Sequence, residues 1–421
     1  MEKPIAYDVA VIGGGPAGMM ASAAAGARGL SVILLEKNPK LGKKLAITGG
    51  GRCNVTNNKP VVREMLSQYK DSGKFLFSTF MQHGVTESID WFAERKVPFV
   101  EENEDRLFPA TLKAETVRAC LIGEVQKTKV TVQTTTIVAR IEFDKKKKIF
   151  TIKTSKGDIE ATSCIVATGG TSRPETGSTG EGFKWLAALG HTIVPNNMAL
   201  VPLTIKAPWL SKLAGVTLSE VKLTLCSNDK KQSVHNGKLL FTHVGVTGPT
   251  VLNLSKKVGE LLEAGKVTLK IDLLPKLDAG ETKHKLQTLL TEASNKKIKN
   301  IMSELVPTAL GEVILGELNI DGDTEGHSVS TADRKKLLLA LKAFPLLVTG
   351  LLGPDKAVVS AGGVALEEVD FKTMESRIVP KLYLVGDVLN INRPSGGYSL
   401  QLCWSTGFVA GTNMLTCDHG I

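Results

Sequence analysis

The stretch that decides the fold runs from Tyr7 to Glu36 and reads YDVAVIGGGPAGMMASAAAGARGLSVILLE. An apolar run ends at Ile12 and is followed by three glycines and a proline. After an alanine-rich segment, a second apolar run, Val32–Leu35, leads to Glu36. Short apolar runs bounded by glycine predict buried strands, and the alanine-rich segment between them predicts a helix. The stretch therefore predicts a strand, a glycine turn, a helix, a second strand and an acid.

This order of elements is typical of a turn that holds a dinucleotide. Gly13 allows a tight turn, Gly15 allows the backbone to approach a pyrophosphate, and Gly18 allows the helix to lie close to the strand. The helix start at Pro16 and Ala17 presents free N–H groups and a partial positive charge to the phosphates. The sequence thus predicts a dinucleotide site at the first helix.

Glu36 lies where a carboxylate can accept hydrogen bonds from the adenosine ribose hydroxyls. It suits a free 2′-hydroxyl and would repel a 2′-phosphate. The motif does not separate FAD from NAD, because both carry the same adenosine end.

Length and composition indicate an ordinary globular protein with more than one domain. The chain has 421 residues, of which 42% are hydrophobic and 22% charged. No apolar run approaches the roughly 18 residues that span a bilayer. The first strand begins too early to leave room for a signal peptide. We expect a cytoplasmic protein with no membrane partner.

The charged and metal-binding residues suggest no further class of partner. The six cysteines are scattered without C-x-x-C pairs or zinc-like spacing, so we expect neither structural disulfides nor a metal site. A net charge of +10 is compatible with an anionic partner. The densest lysine run, 145–148, lies between two strand-like segments, however, and predicts a solvated hairpin turn. We expect no nucleic-acid partner.

A second glycine-bearing region lies near the end of the chain. Residues 381–387 form an apolar strand that finishes on Gly386 and Asp387. Such a late strand is more typical of FAD proteins than of proteins that bind NAD alone, and it would bring Asp387 to the ribityl and pyrophosphate region. Gly396 and Gly397 precede a helical stretch, and their N–H groups suit the electron-rich pyrimidine edge of a flavin.

Two further segments fit the same site. A buried-type strand over 163–167 is followed by Thr168 and Gly169. The segment GKKLAITGGGRCNVTN at 42–57 contains three successive glycines that can run against a ring or a phosphate, while Lys44 and Arg52 can offset pyrophosphate charge. Cys53 has no second cysteine nearby, so a dithiol relay is disfavoured and a packing role is expected. No second strand, G-x-G-x-x-G, helix and acid unit is present for NAD(P)H.

The segment at 42–57, LFTHVGVTGP at 240–249 and SAGGV at 360–364, followed by Gly396, Gly397 and Tyr398, resemble the flavoproteins of the BaiN/YhiN type. These are usually called NAD(P)/FAD-dependent oxidoreductases, and some are called aminoacetone oxidases. The resemblance extends from Asp8 to about Met414. The family usually has Asn where this chain has Ser399 and Asp where it has Asn390, so no particular substrate is carried over.

This resemblance implies an α/β fold in which a discontinuous Rossmann-like FAD-binding domain carries an inserted domain that is β-barrel-like and helical. We expect the FAD domain at 1–194 and 346–415. The insertion is expected at 195–345 as a domain that covers the substrate, β-rich over 195–275 and helical over 279–345. The predicted contacts to non-covalent FAD are Gly13, Gly15, Pro16, Ala17, Gly18, Glu36, Lys37, Lys44, Gly50, Arg52, Cys53, Asn54, Thr168, Gly169, Gly386, Asp387, Gly396, Gly397, Tyr398 and Leu400.

Short alternating stretches at 200–205, 220–226 and 267–273 independently predict antiparallel strands in the insertion, and 279–344 predicts helices. The loop at 241–249 could form a lid over the flavin. Its His243 is a candidate for proton transfer. Tyr398 is a second catalytic candidate, as a hydrogen-bond donor.

The sequence leaves three functional hypotheses. The first is an FAD-dependent oxidoreductase that transfers hydride between a small molecule and flavin N5, either as an NAD(P)H-linked reductase or as an oxidase. The second is a flavoprotein that modifies tRNA, which the positive charge suggests. The aromatic content of 5% and the lack of an RNA-binding module make this the weaker one. The third is a flavin-binding protein without turnover. The oligomeric state is open.

Overall fold

The computed structural model describes residues 5–195, 201–352 and 362–414. The chain divides into two compact units. Unit 1 comprises Met1–Asn197 and Val358–Ile421, and unit 2 comprises Met198–Ala357. Unit 1 is therefore discontinuous in sequence, with unit 2 inserted into it. The roles suggested for these parts, cofactor binding and substrate covering, remain predictions.

The first part of unit 1 begins with the predicted strand, helix and strand. Its strands are β1 (Ile5–Ile12), β2 (Val32–Leu35), β3 (Thr56–Asn57), β4 (Phe99–Glu102), β5 (Arg106–Pro109), β6 (Thr131–Gln133), β7 (Val138–Asp144), β8 (Ile149–Thr154), β9 (Gly157–Val166) and β10 (Ile193–Val194). Its helices are α1 (Pro16–Ala27), α2 (Val62–Ser67), α3 (Gly73–Gln82), α4 (Val85–Ala93), α5 (Ala114–Lys127) and α6 (Glu181–Ala188).

Unit 2 combines strands with a helical region, as predicted. Its elements in chain order are β11 (Leu203–Ile205), β12 (Thr217–Ser227), β13 (Lys230–Phe241), β14 (Gly245–Thr247), α7 (Pro249–Ala264), β15 (Val267–Asp272), α8 (Ala279–Glu292), α9 (Ile298–Met302), α10 (Thr308–Glu317), α11 (Thr331–Ala343) and β16 (Phe344–Leu351). The second part of unit 1 then contributes β17 (Gly363–Val364), β18 (Leu382–Leu384) and α12 (Tyr398–Asn413).

A seven-stranded sheet is the centre of unit 1. Its order is β6-β2-β1-β9-β8-β7, and β18 pairs with β9 in addition. The strands β6, β2, β1, β9 and β18 are parallel, whereas β8 runs antiparallel to both β7 and β9. Residues 145–148 form the turn between β7 and β8, which confirms the predicted hairpin.

Helix α1 is buried on almost every side, which explains its alanine-rich sequence. Helix α12 packs against it through small residues. A Cβ on Gly407 would lie 2.5 Å from the carbonyl oxygen of Ala17, and one on Gly411 would lie 2.5 Å from that of Ala21. The first and last helices of unit 1 therefore pack at backbone contact, next to the predicted nucleotide turn.

Unit 2 contains a closed barrel in the order β11-β14-β13-β12-β15-β16. Every pairing in it is antiparallel. Alternate residues of its strands, such as Leu223 and Leu225 of β12 and Leu269 of β15, are fully buried in a core that includes residues of α8 to α11. Among the described residues of the chain, no helix has the length and apolar character needed to cross a membrane.

Candidate dinucleotide site

The carboxyl ends of four parallel strands meet at one edge of the sheet in unit 1. The register places Ile12 of β1 beside Leu35 of β2 and Val166 of β9. Val166 in turn lies beside Leu384 of β18. In open α/β sheets, ligands bind outside this edge. The predicted site residues just beyond these strands are Gly13, Glu36, Thr168, Gly386 and Asp387.

The first glycine turn is closed on one side and open on the other. A Cβ on Gly18 would lie 1.9 Å from the carbonyl oxygen of Gly13, so only glycine permits this approach. A Cβ on Gly15, by contrast, would have no atom within 4 Å. Helix α1 starts at Pro16 with Gly15 as its N-cap and without a side-chain cap. Its positive end thus faces open space, which suits an anion.

Glu36 is fixed at the end of β2 and is 8% exposed. Its Oε2 accepts a hydrogen bond from the Gly14 N–H at 2.8 Å, and its Oε1 accepts from the backbone and side-chain nitrogens of Asn38, both at 2.7 Å. An ionised carboxylate has about four acceptor positions. Glu36 therefore ties the turn to the second strand and retains acceptor capacity for a hydroxyl.

Lys37 follows Glu36 in the chain, and its side chain is already paired. Its Nζ donates to Oε2 of Glu181 and to Oγ1 of Thr179, both at 2.8 Å. The predicted cofactor contact thus connects the end of β2 with the start of α6. Its ammonium charge is matched within unit 1.

The three glycines at 49–51 lie in a short 3₁₀ segment, Leu45–Gly51, and all have left-handed φ angles. A Cβ on Gly50 would have no atom within 4 Å. The next residue after the glycines, Arg52, donates from Nη1 to Oε1 of Glu102 at 2.7 Å, and its guanidinium lies 4.4 Å from the ring centroid of Phe108. Gly50 thus leaves room beside the backbone, while Arg52 has its charge matched by a protein carboxylate.

Cys53 is fully buried. Burial raises the pKa of its thiol to about 12, against a smaller lowering by a hydrogen bond with Thr48. The thiol is therefore protonated at neutral pH, which does not favour a nucleophile. The five described cysteines are free thiols, and Cys417 lies outside the described residues.

Asn54 connects the glycine-rich segment at 42–57 with the glycine pair at 396–397. With its amide nitrogen donating to the carbonyl oxygens of Thr56 at 2.9 Å and Leu107 at 3.2 Å, its amide oxygen accepts from the Gly397 N–H at 3.1 Å. A Cβ on Gly397 would lie 2.4 Å from the carbonyl carbon of Thr56. The Asn54 side chain is thus engaged by the protein backbone, and Gly397 is required for the close packing of α12 on β3.

Thr168 lies beyond the end of β9 and has a buried Oγ1 without a hydrogen-bond partner among the described residues. A buried, unsatisfied hydroxyl costs about 1–3 kcal/mol. The next residue, Gly169, has a left-handed φ of +72°. An unpaired hydroxyl at the ligand-binding edge of the sheet fits a site that a bound group completes.

Asp387 follows β18 and carries the strongest local electrostatics of the edge. Its Oδ1 accepts from Nη2 of Arg393, and its Oδ2 lies 3.5 Å from Nζ of Lys44. Burial alone raises the pKa of Asp387, but the charges of Arg393 and Lys44 outweigh it and leave the pKa below its usual value. Asp387 is therefore ionised at neutral pH, and Lys44 offsets this carboxylate.

Arg393 is a site residue that the sequence-based prediction missed. Its side chain is completely buried. Besides Asp387, it donates from Nε to Oγ of Ser399 at 3.0 Å and from Nη1 to the carbonyl of Ile391 at 2.6 Å. Arginine is rarely buried unless it is paired. A charged residue close to Gly396 and Gly397, with Asp387 six residues earlier, was the available sequence signal.

The final loop packs back on the first helix. Gly386 has a left-handed φ of +69°, and a Cβ there would lie 3.0 Å from the Cβ of Ala17. Its N–H donates to Oγ1 of Thr406 on α12 at 3.0 Å. The late strand is thereby held at the first turn of α1, which brings Asp387 to the same edge as the glycine turn.

Tyr398 and Leu400 lie in the first turn of α12 and are both buried. The carbonyl of Tyr398 accepts a hydrogen bond from the hydroxyl of Tyr69 at 2.7 Å. Burial raises the pKa of Tyr398 to about 12, with smaller contributions from Asp105 and Glu104. Its phenol is therefore protonated at neutral pH and is suited to donate a hydrogen bond rather than to act as a base.

His243 lies in unit 2, in the short connection between β13 and β14, and is exposed. Within this connection, Oγ1 of Thr242 accepts from the Gly245 N–H at 3.1 Å, which defines the turn. The catalytic and lid roles suggested for this loop remain predictions. Of the segment 360–364, Ser360 and Ala361 lie outside the described residues.

The residues of this edge fit a flavin dinucleotide. Open space borders Gly15 and Gly50, the hydroxyl of Thr168 lacks a partner among the described residues, and Glu36 can accept further hydrogen bonds. These features are those of a dinucleotide-binding protein of the doubly wound α/β class.

The chain belongs to the HI0933-like family, a family of flavoprotein oxidoreductases, since the family description "HI0933-like protein Rossmann domain" matches residues 7–413. A flavin is the cofactor that this membership implies.

Full-length relatives are found in three bacteria. The chain is 29% identical over 406 residues to the 3-dehydro-bile acid delta(4,6)-reductase of Clostridium scindens, covering 96% of this chain and 98% of that one. It is 30% identical over 415 residues to the ribosomal RNA dihydrouridine synthase of Escherichia coli, covering 97% and 98%. It is 30% identical over 403 residues to the protein of the same name in Haemophilus influenzae, covering 94% and 96%.

Solved structures show the same fold at low sequence identity. A flavocytochrome c3 fumarate reductase in its open conformation gives a TM-score of 0.54 at 16% identity, covering 98% of this chain and 78% of that one. The 3-ketosteroid-delta4-(5alpha)-dehydrogenase of Rhodococcus jostii RHA1 gives 0.53 at 13% identity, covering 98% and 96%. These similarities support the fold of an FAD-dependent oxidoreductase.

Proposed function

We propose that this protein is an oxidoreductase with non-covalently bound FAD that reduces a carbon–carbon double bond conjugated to a carbonyl group. The substrate of the leading version is a small molecule. Reduced FAD would supply the hydride from N5 to a substrate carbon, and NADH or NADPH would reduce the flavin again. This version chooses the reductase direction that the sequence alone left open.

The observation that carries the proposal is the convergence of two glycine loops on one sheet edge. The N-terminus of α1 is open at Gly15, and the loop carrying Asp387 packs on the first turn of that helix through Gly386. A dinucleotide needs the first of these loops for its diphosphate. A flavin dinucleotide also needs a grip on its middle, which the second loop offers through an ionised Asp387.

Each residue then has a defined task. Glu36 would accept hydrogen bonds from the adenosine ribose, and Asp387 would accept from the ribityl chain. The N–H group of Gly396 would stabilise negative charge at the pyrimidine edge, whereas the Gly397 N–H donates to Asn54. When bound, FAD supplies a hydride acceptor and donor. Tyr398 donates a hydrogen bond as a neutral phenol, and His243 is the candidate proton donor.

The choice of a conjugated double bond rests on the chemistry that the relatives' names share. A delta(4,6)-reductase of a 3-oxo steroid and a dihydrouridine synthase both saturate a carbon–carbon double bond conjugated to a carbonyl. Hydride addition to the carbon remote from the carbonyl is the step common to both. This supports reduction of an enone-like bond over oxidation of an amine or alcohol.

Three measurements on the purified protein test the proposal in order. Its absorption spectrum should show bound flavin, and denaturation followed by filtration should release FAD, since the binding is non-covalent. Anaerobic addition of NADH or NADPH should bleach the flavin band, and an enone substrate should restore it. A colourless protein that takes up no FAD would refute the proposal. A yellow protein inert to all donors and acceptors would instead indicate flavin binding without turnover.

A second candidate function is the reduction of uridine in RNA. The specific observation is that two full-length relatives at 30% identity carry the name ribosomal RNA dihydrouridine synthase. Incubation with unmodified ribosomal RNA transcript and NADPH, followed by mass spectrometry of the nucleosides, should then reveal dihydrouridine. Its formation would contradict the expectation that the protein has no nucleic-acid partner. Its absence, with turnover of a small enone, would support the leading version.

A further inference from the structure

One outer face of the barrel in unit 2 carries four lysines, and the strand register shows that they share this face. Strand β12 lies between β13 and β15. Leu223 and Leu225 of β12 are fully buried and point into the barrel. Because side chains alternate along a strand, Lys222 and Thr224 point outward. We call the outer surface of β12, β13 and β15 the lysine face.

Cross-strand pairs place the other lysines on the same surface. Lys270 of β15 is directly opposite Thr224, and Lys231 of β13 is directly opposite Cys226. Asn236 is directly opposite Lys222, and Lys238 follows it by two residues, so it also points outward. Directly opposite and diagonal positions on a sheet lie within about 5–8 Å. Lys222, Lys238 and Lys270 therefore form one cluster, and Lys231 lies on the same surface nearer the β12–β13 turn.

Two of the acidic groups near the lysine face are paired with lysines outside it. Asp272, directly opposite Lys222, is paired with Lys342 at 2.8 Å, and Glu220 is paired with Lys276 at 2.6 Å. In the part of the chain that the structure describes, none of the four lysines has a carboxylate within 4.0 Å. Lys222, Lys231 and Lys238 are exposed, and Lys270 is half-buried.

Six other described lysines of unit 2 have carboxylate partners. Lys297 and Lys299 share Asp323 at 2.9 and 2.8 Å, and Lys336 binds Asp333 at 2.8 Å. Like charges close together on one sheet face are destabilising. The lysine face therefore presents positive charge that no carboxylate among the described residues neutralises, and an anionic partner would relieve this repulsion.

We propose that the lysine face binds the phosphate backbone of folded RNA. Its outward residues between the lysines, such as Thr224, Val234 and Asn236, are not aromatic, so stacking on unpaired bases is disfavoured and contact with phosphates is favoured. Folded RNA is read largely through its backbone and shape. This inference rests on the second candidate function, the reduction of uridine in RNA.

A pair of matched variants tests it. In one, Lys222, Lys231, Lys238 and Lys270 are all replaced by Gln. In the control, the four exposed lysines of the β7–β8 turn, at 145–148, are replaced by Gln, which removes the same charge from unit 1. Binding of a folded ribosomal RNA transcript is followed by fluorescence anisotropy from about 50 to about 200 mM salt. Thermal unfolding and the flavin spectrum verify that both variants are folded.

The lysine-face variant should bind at least about tenfold more weakly at the lowest salt, and the slope of log affinity against log salt should flatten by about 3–4, at about 0.9 per lost phosphate contact. The control should stay within about twofold of the unchanged protein. Equal losses in both variants, or no loss in either, would overturn the inference. So would retention on vesicles of phosphatidylcholine and phosphatidylserine in equal parts that the lysine-face variant loses while RNA binding persists.

Binding does not require turnover, so the two hypotheses fail differently. RNA binding that depends on the lysine face, without dihydrouridine formation, would support the proposal that this face binds RNA. It would refute the second candidate function, the reduction of uridine. If the lysine-face variant forms dihydrouridine as fast as the unchanged protein at sub-saturating RNA, RNA binding by this face is refuted. Reduction of uridine in RNA is then supported.

Discussion

Two loops close the same sheet edge of unit 1, and different forces hold them. In the glycine turn after β1, backbone meets backbone, with Gly18 packed on the carbonyl of Gly13. In the loop after β18, a buried carboxylate, Asp387, is held by the charges of Arg393 and Lys44. The first loop is therefore sensitive to the volume of a side chain, and the second is sensitive to charge and pH.

Removal of Arg393 should have the largest effect on the charged loop. In Arg393→Met, Asp387 stays buried without its main partner, and we expect a loss of about 3–5 kcal/mol in the free energy of unfolding at neutral pH. Denaturant unfolding measures this. Arg393→Lys should retain part of the stability. The double variant Asp387→Asn with Arg393→Met should recover most of it, because no unpaired charge is left.

Arg393→Met should also change how the free energy of unfolding depends on pH. In the unchanged protein the pKa of Asp387 is lowered, so its stabilisation is present above the unfolded pKa of about 4 and is lost as the pH falls through the lower folded value. In Arg393→Met, burial raises the pKa of Asp387, so the deficit should shrink as the pH falls from 7 toward 4. If the free energy of unfolding of Arg393→Met stays below that of the unchanged protein by the same amount over this pH range, lost packing and not charge is responsible.

Gly18→Ala should destabilise the glycine turn after β1. The new Cβ would lie 1.9 Å from a backbone oxygen that cannot move without shifting β1 or α1. We expect a destabilisation of about 2–3 kcal/mol, independent of pH between 5 and 8. Thermal unfolding at several pH values checks both statements. Stability equal to that of the unchanged protein would mean that the turn relaxes easily and that the steric account is wrong.

The contrast also explains what the sequence could predict. Glycines at 13, 15 and 18 are spaced along one short segment, so the geometry of the turn can be predicted from the local sequence alone. The strand ends, the barrel strands and the hairpin at 145–148 were likewise local patterns, and the structure confirms them. Arg393 escaped notice because its meaning depends on Asp387 and Lys44, and Lys44 lies 343 residues from Asp387.

The lysine face was not predicted from the sequence, for a related reason. Lys222, Lys238 and Lys270 are separated in sequence and look like ordinary surface lysines, and only the register between strands brings them together. A dense run such as 145–148 attracts attention in a sequence, although it forms only a turn. Clusters built across strands become visible with the fold.

Gly15→Ala separates folding from binding within the glycine turn. Its Cβ would enter open space, and its φ of −80° suits alanine, so the free energy of unfolding of flavin-free protein should change by less than about 1 kcal/mol. Affinity for FAD should nevertheless fall about tenfold or more, because the methyl group occupies the proposed place of the diphosphate. Titration of flavin-free protein with FAD measures this.

Gly123→Ala is the matched control for that titration. Gly123 lies on α5, apart from the sheet edge, and a Cβ there would also have no atom within 4 Å. The control variant should leave FAD affinity unchanged. If Gly15→Ala binds FAD as well as this control does, the diphosphate lies elsewhere.

Cys53→Ala should have the smallest effect, and it tests whether a reactive thiol takes part in the chemistry. Because burial raises the pKa of Cys53 to about 12, the thiol is protonated and should take no part in electron transfer. The rate of flavin reduction by NADH or NADPH should stay within about twofold, with Cys120→Ala on α5 as control. A variant that retains its flavin and yet reacts about tenfold more slowly, while the control does not, would make Cys53 a redox group that acts together with the bound cofactor.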